Sequence, residues 1–155
     1  MNRDRIPAQK ETGPQALAQK AQTDGREEEL LSNAELHIAV DEWKKAVPIL
    51  TELLQLAPEH PKYNTLLARA LGKCSGLERH AERQFQRALQ LAPEDPDVHY
   101  AFGEFYLSMG RKARADQQFQ ATLRLAPHHK RAQQELQRRR KSEGSLASMF
   151  KKMLG

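Results

Sequence analysis

The sequence has a single cysteine, Cys74, so no disulfide can form within the chain. This composition fits a reducing compartment. No apolar run approaches the roughly 18 residues that span a bilayer, and residues 1–7 contain no apolar stretch of the kind that forms a secretory signal. We therefore expect a protein that does not cross a membrane and that resides in the cytoplasm.

The sequence also lacks the motifs of common catalytic and metal-binding sites. It has no glycine-rich phosphate loop, no paired cysteines and no His-Glu helix motif. Its histidines are scattered over turns and helix starts, and the adjacent His128 and His129 have no further ligands at helical spacing. We expect no enzymatic activity, no bound metal and no cofactor.

What the sequence does contain is one tripeptide written three times. Leu-Ala-Pro ends at Pro58, Pro93 and Pro127, which lie 35 and then 34 residues apart. Such a fixed period indicates units that must stack on neighbours to bury their apolar faces. Matching residues precede each proline: Asn33, Ala34, His37, Ala46, Leu50 and Leu53 in the first copy, Leu67, Ala68, Leu71, Ala81, Phe85 and Ala88 in the second, and Phe102, Gly103, Tyr106, Ala115, Phe119 and Thr122 in the third.

Residues 27 to about 127 resemble the tetratricopeptide repeat, whose unit is two antiparallel helices. The resemblance implies an all-α solenoid of three helical hairpins over residues 27–128. The third copy supports it independently, because Phe102, Tyr106 and Met109 recur at helical spacing before Gly110, and a second stripe follows. Phe85 and Phe119 are predicted to be core residues.

The segments outside the repeats have different compositions. Residues 1–26 are polar and are predicted to be a disordered leader or linker. Residues 129–141 have Ala132 and Leu136 as their only apolar positions, which predicts a capping helix over the last repeat. Residues 142–155 are predicted to be a hinge at Ser142-Glu143-Gly144 followed by a short basic amphipathic helix.

The resemblance implies a concave face, made by the first helix of each repeat, that binds an extended or helical segment of a partner protein. Arg69 is expected between Glu35 and Glu104, where an internal ion network and a ligand-binding role are equally compatible with the pattern. Trp43 is expected to pack as structure rather than to serve as a ligand platform. The groove residues implied by the resemblance are Glu28, Leu31, Glu35, Ile38, Lys62, Thr65, Arg69, Lys73, Asp97, Tyr100, Glu104 and Leu107.

Members of this family that hold the acidic C-termini of chaperones use Lys, Asn and Arg as a carboxylate clamp. The corresponding places here are Leu31, Glu35, Asp97 and Ala101, so that pattern is absent. We expect a protein-binding adaptor or scaffold whose partner is not a chaperone tail. We also expect the solenoid to be monomeric, because the cap covers one end and the acidic first turn and leader guard the other.

The C-terminal segment suggests a second function. Residues 128–155 contain eight Lys or Arg against two Glu, whereas the rest of the chain is nearly neutral. The alternative to a protein adaptor is therefore a binder of nucleic acid or of an anionic membrane surface, with nucleic acid the less favoured of the two. The apolar stripe of the tail could dock on the protein's own solenoid, on a partner or on a membrane; its residues are Leu146, Met149, Phe150, Met153 and Leu154.

Overall fold

The computed structural model describes residues 14–154, which form seven α-helices and no strand. The helices are α1 (Pro14–Ala39), α2 (Trp43–Leu56), α3 (Pro61–Gly72), α4 (Glu78–Leu91), α5 (Pro96–Ser108), α6 (Lys112–Leu125) and α7 (Lys130–Leu154). Three antiparallel hairpins, α1 with α2, α3 with α4 and α5 with α6, stack in order, and α7 packs on α6. The predicted solenoid of three helix pairs with a further helix after them is confirmed.

The repeated Leu-Ala-Pro tripeptide is the stop signal of the second helix in each hairpin. Ala57, Ala92 and Ala126 are the residues after α2, α4 and α6, and all three have φ between −139° and −133°. A residue before proline is disfavoured in the α region, because its backbone clashes with the proline ring. The sequence period of the prolines is therefore the spacing of the helix ends.

Buried aromatic rings form the centre of the block. The side chains of Phe85 and Phe119 are 0% exposed, as the sequence pattern predicts. Phe85 stacks on Phe102 with ring centroids 4.8 Å apart, which joins the second hairpin to the third. Interlocked aromatic pairs of this kind stabilise a core beyond the area that they bury.

Gly103 is required by the packing of α5 on α6. A Cβ atom at this position would lie 2.6 Å from the Phe119 ring, which is closer than nonbonded carbon atoms can approach. Because Phe119 is fully buried, its ring has little room to move away. The glycine thus sets the distance between the two helices of the third hairpin.

The structure differs from the sequence prediction at the N-terminal end. Helix α1 begins at Pro14, so residues 14–26, which were predicted to be disordered, are helical, while residues 1–13 lie outside the described part of the chain. Extending an existing helix adds a hydrogen bond per residue without a new nucleation step. Arg26 also forms an ion pair with Glu52 on α2, which ties this extension to the first hairpin.

The structure also differs at the predicted hinge. Helix α7 runs without a break from Lys130 to Leu154, through Ser142, Glu143 and Gly144. One glycine in a helix costs only about 1 kcal/mol relative to alanine, and the flanking Lys, Arg, Leu and Met residues favour a helix. The predicted capping helix and the predicted C-terminal amphipathic helix are therefore one continuous element. No helix among residues 14–154 is long and apolar enough to span a bilayer.

Candidate binding groove

A groove of about 450 Å³ lies on the face formed by α3 and α5. Arg69, Gly72 and Lys73 line it from α3 and its end, and Leu107 and Ser108 are among the lining residues of α5. Trp43 at the start of α2, Phe85 of α4 and Glu135 of α7 complete the lining, so five helices contribute to one concave surface. We call this surface the α3–α5 groove.

Four of the twelve predicted groove residues line the α3–α5 groove. They are Arg69 and Lys73 from the second repeat and Glu104 and Leu107 from the third. In the structure, α3 with its end and α5 contribute these four residues to one shared groove.

The predicted residues of the first repeat lie elsewhere. Leu31 and Ile38 are half-buried and pack against the core, which leaves them little surface for a ligand. Glu28 is exposed outside the groove. Glu35 forms an ion pair with Lys62 on α3 at 2.9 Å, so these two predicted groove residues bridge the first and second repeats instead.

The remaining predicted residues have structural contacts. The Thr65 hydroxyl donates to the Pro61 carbonyl at 2.9 Å, and Asp97 is exposed near His129, 3.8 Å from its imidazole nitrogen. Tyr100 is 9% exposed and packs between Phe119 and His129, which makes it a core residue rather than a groove residue. Burial, together with the hydrogen bond from its hydroxyl to Glu104, raises the pKa of Tyr100 to about 12.

Trp43 is one of the groove residues that the sequence reasoning missed. Its side chain is half-buried and packs against the core, as predicted, but it also lines the groove. The ammonium nitrogen of Lys73 lies 5.9 Å from the centre of its ring, within range of a cation–π contact. Its position in the chain could have indicated this. Trp43 is the first residue of α2, and Lys73 directly follows α3, the helix that packs against α2.

The charges around the α3–α5 groove are arranged on two sides. Arg69 and Lys73 make the α3 side cationic, whereas Glu104 and Glu135 make the opposite side anionic. Neither carboxylate of the predicted network pairs with Arg69: Glu35 pairs with Lys62, and Glu104 accepts the Tyr100 hydroxyl at 2.9 Å. Arg69 is exposed and forms no ion pair with any carboxylate whose side chain the structure describes. Its guanidinium is available to a ligand.

The predicted docking stripe of the tail lies on the second half of α7. Met149, Phe150 and Met153 are 58%, 63% and 79% exposed, so these side chains do not dock on the protein's own repeats in this structure. The backbone at Leu146 and Leu154 is helical as predicted, and their side chains lie outside the described part of the molecule.

Residues 14–154 contain no group of three or more His, Cys, Asp or Glu side chains that could hold a metal ion. His129 accepts a hydrogen bond from the backbone N–H of Ala132 at 3.1 Å, at the start of α7. That contact gives His129 a structural role at the beginning of the helix, where backbone N–H groups lack helical partners.

Comparison with known proteins agrees with this architecture. Residues 79–139 match a family model described as tetratricopeptide repeat. This chain therefore contains tetratricopeptide repeats. TPR repeat-containing protein YpiA of Bacillus subtilis (strain 168) is 33% identical over 82 residues, which cover 53% of this chain and 19% of YpiA. The chain thus spans about a fifth of the length of that relative.

Solved repeat structures share the fold. YrrB, described as a TPR protein with an unusual peptide-binding site, has a TM-score of 0.61 at 18% identity, over 67% of this chain and 53% of YrrB. The first TPR of Spaghetti (RPAP3), bound to the HSP90 peptide SRMEEVD, has a TM-score of 0.65 at 19% identity, over 79% of this chain and 94% of that one. At these identities, the similarity establishes the tetratricopeptide-repeat fold.

Proposed function

We propose that this chain is a non-enzymatic adaptor that binds a segment of a partner protein in the α3–α5 groove. The observation that carries the proposal is Arg69, an exposed cation with no ion-pair partner among the described side chains, in an open groove that also contains Trp43 and Leu107. The groove volume of about 450 Å³ lies within the range of about 300–1,000 Å³ typical of ligand sites.

The chemistry of the groove favours a segment with one large apolar side chain next to an acidic one. Phe105 and Leu107 provide apolar lining for the first, and Arg69 provides a planar donor fork for a carboxylate. The anionic side at Glu104 and Glu135 disfavours a second acid there and accepts a base. YrrB and the RPAP3 domain, which are described with peptide sites, support by analogy a peptide as the type of ligand.

A selection of random peptides displayed on phage against the full chain tests the proposal. We expect enriched peptides that combine a large apolar residue with Asp or Glu. Trp43 is the only tryptophan and lies at the groove, so the change in its fluorescence gives the dissociation constant directly. Arg69→Glu should weaken binding at least about tenfold, because it replaces an attractive charge with a repulsive one.

The matched control is Arg83→Glu, which makes the same charge reversal at an exposed position of α4 outside the groove. Its dissociation constant should stay within about twofold of the parent value, since a distant surface charge is screened by salt. Equal affinities of the Arg69 and Arg83 variants, or no enriched peptide at all, would contradict the proposed groove.

We also expect the chain to be a monomer in solution, which sedimentation velocity tests directly.

A further inference from the structure

The second half of α7 carries apolar side chains that nothing in the described structure covers. Among the described side chains, the last on α7 that pairs with α6 is Arg139, and the match to the repeat family ends at the same residue. Every described side chain from Arg140 onward is exposed. This stretch, residues 140–154, projects about 22 Å beyond the packed part of the helix at 1.5 Å per residue. We call it the tail helix.

Apolar and basic residues occupy different sides of the tail helix. At about 100° per residue, Met149, Phe150 and Met153 fall within roughly one third of the helix circumference, and Arg140, Lys141 and Lys152 fall on the remaining side. Residues 140–154 contain four Lys or Arg and one acidic residue. An apolar stripe with a basic polar face is typical of helices that lie in the interface of an anionic membrane.

We propose that the tail helix binds the surface of an anionic lipid bilayer, with the side chains of Met149, Phe150 and Met153 inserted and the basic residues against lipid phosphates. The charge of the stretch selects this occupant over a second copy of the chain. The α3–α5 groove of a second copy is lined by two cations, Arg69 and Lys73, and two anions, Glu104 and Glu135, so it offers a basic helix no net attraction, whereas an anionic bilayer does. The inference is independent of what the groove itself binds.

Both parts of the tail helix are needed for attachment. A few apolar side chains on a short helix give only marginal affinity, and the basic residues add attraction that extends about one Debye length from the surface. The combination meets the requirement of two signals for a peripheral protein. Attachment should therefore be reversible and sensitive to salt.

Co-sedimentation of the full chain with lipid vesicles tests the proposal. We expect binding to vesicles of phosphatidylcholine with phosphatidylglycerol at low salt, and weak binding to phosphatidylcholine alone. The double variant Met149→Ser/Phe150→Ser should bind at least about tenfold more weakly, because two apolar side chains no longer leave water. Charge reversal by Lys141→Glu/Lys152→Glu should have an effect of similar size, about tenfold.

A matched control removes two equally exposed apolar side chains from the repeat block. Leu36 on α1 and Val40 directly after α1 are 62% and 57% exposed, and Leu36→Ser/Val40→Ser should leave vesicle binding unchanged. The proposal is overturned if the full chain does not bind anionic vesicles at low salt. Equal losses in the tail variant and in the α1 variant would overturn it as well.

Two other partners of the tail helix, nucleic acid and a second copy of the chain, would give different results in these experiments. Binding of oligonucleotides without binding of vesicles would assign the basic residues to nucleic acid and overturn the membrane proposal. A dimer that forms with rising protein concentration and is abolished by Met149→Ser/Phe150→Ser, again without vesicle binding, would assign the stripe to a second copy and overturn it too.

Discussion

The guanidinium of Arg139 lies against the carboxylate of Asp116, with Nε 2.5 Å from Oδ1 and Nη2 donating to Oδ2 at 2.9 Å. Only the Nη2 contact is aligned as a hydrogen bond. The Arg139 side chain is 11% exposed, so it is largely buried in the contact of α7 with α6, whereas its neighbours Arg138 and Arg140 are exposed. The pair marks the end of the packed half of α7 and separates a structural arginine from the exposed cations that follow.

Removing the carboxylate should uncouple α7 from α6. Asp116→Ala leaves a largely buried guanidinium without its counter-charge, and we expect a loss of about 1–3 kcal/mol in the free energy of unfolding. The rate of amide hydrogen exchange in the packed half of α7 should be higher in this variant than in the parent. Urea unfolding and exchange mass spectrometry measure the two effects.

Glu59→Ala is the control for that experiment, since Glu59 is 79% exposed and pairs with Arg87 at 3.3 Å. An exposed ion pair contributes at most about 1 kcal/mol. If the Asp116 and Glu59 variants have equal stability, the Arg139–Asp116 contact does not hold α7 in place.

Gly103→Ala should destabilise the third hairpin. The added Cβ would meet the fully buried Phe119 ring, and such overpacking costs about 1–3 kcal/mol. At a contact as short as 2.6 Å we expect the upper part of that range, which outweighs the roughly 1 kcal/mol that alanine gains over glycine in a helix. The same substitution at Gly25 in α1, where no atom lies within 4 Å, should be neutral or slightly stabilising. Thermal melts of the two variants distinguish these outcomes, and a stable Gly103→Ala protein would show that α5 and α6 can move apart at little cost.

The repeat block should lose stability in acid through Glu82. Burial alone would raise the pKa of Glu82, but its hydrogen bonds with Tyr106 and Arg111 and the charges of Arg111 and Arg114 outweigh burial and hold the pKa below its usual value of 4.5. Between the lowered pKa and pH 4.5, the native state therefore binds fewer protons than the unfolded state. The stabilising contribution of Glu82 is fully present above pH 4.5 and is lost as the pH falls through the lowered pKa.

The variant Glu82→Gln isolates this contribution. It keeps an acceptor for the Tyr106 hydroxyl but has no charge, so it should be less stable than the parent at neutral pH. The difference between the two proteins should shrink as the pH falls below 4.5. Unfolding midpoints measured across the acid range provide the test, and a constant difference at every pH would show that Glu82 acts without its charge.

Sequence reasoning predicted the repeated helical hairpins but not the extensions of α1 and α7 beyond them. The Leu-Ala-Pro period located the helix ends, because proline restricts the residue before it in every copy. The hinge at Gly144 and the disordered leader before residue 27 were predicted from local composition, which does not include the gain from extending a helix that already exists.

Sequence reasoning predicted only part of the groove, because the repeat pattern considers one helix at a time. Arg69 and Leu107 follow from the repeat register, whereas Trp43 reaches the groove from α2, and a pattern based on first helices excludes it. Tyr100 was assigned to the groove by the same register but is buried between Phe119 and His129. The position of a side chain between neighbouring helices depends on the stacking of rings, which the spacing of one helix does not specify.

The central claim is that the α3–α5 groove binds a partner segment, and nuclear magnetic resonance of the full chain with a selected peptide tests it most directly. Trp43 contributes the only tryptophan indole N–H signal of the chain. We predict that this signal and the backbone amides of Arg69, Lys73 and Leu107 shift together as the peptide saturates. Shifts confined to the outer faces of α4 and α6 or to the tail helix, with the Trp43 signal unchanged, would contradict the proposed groove.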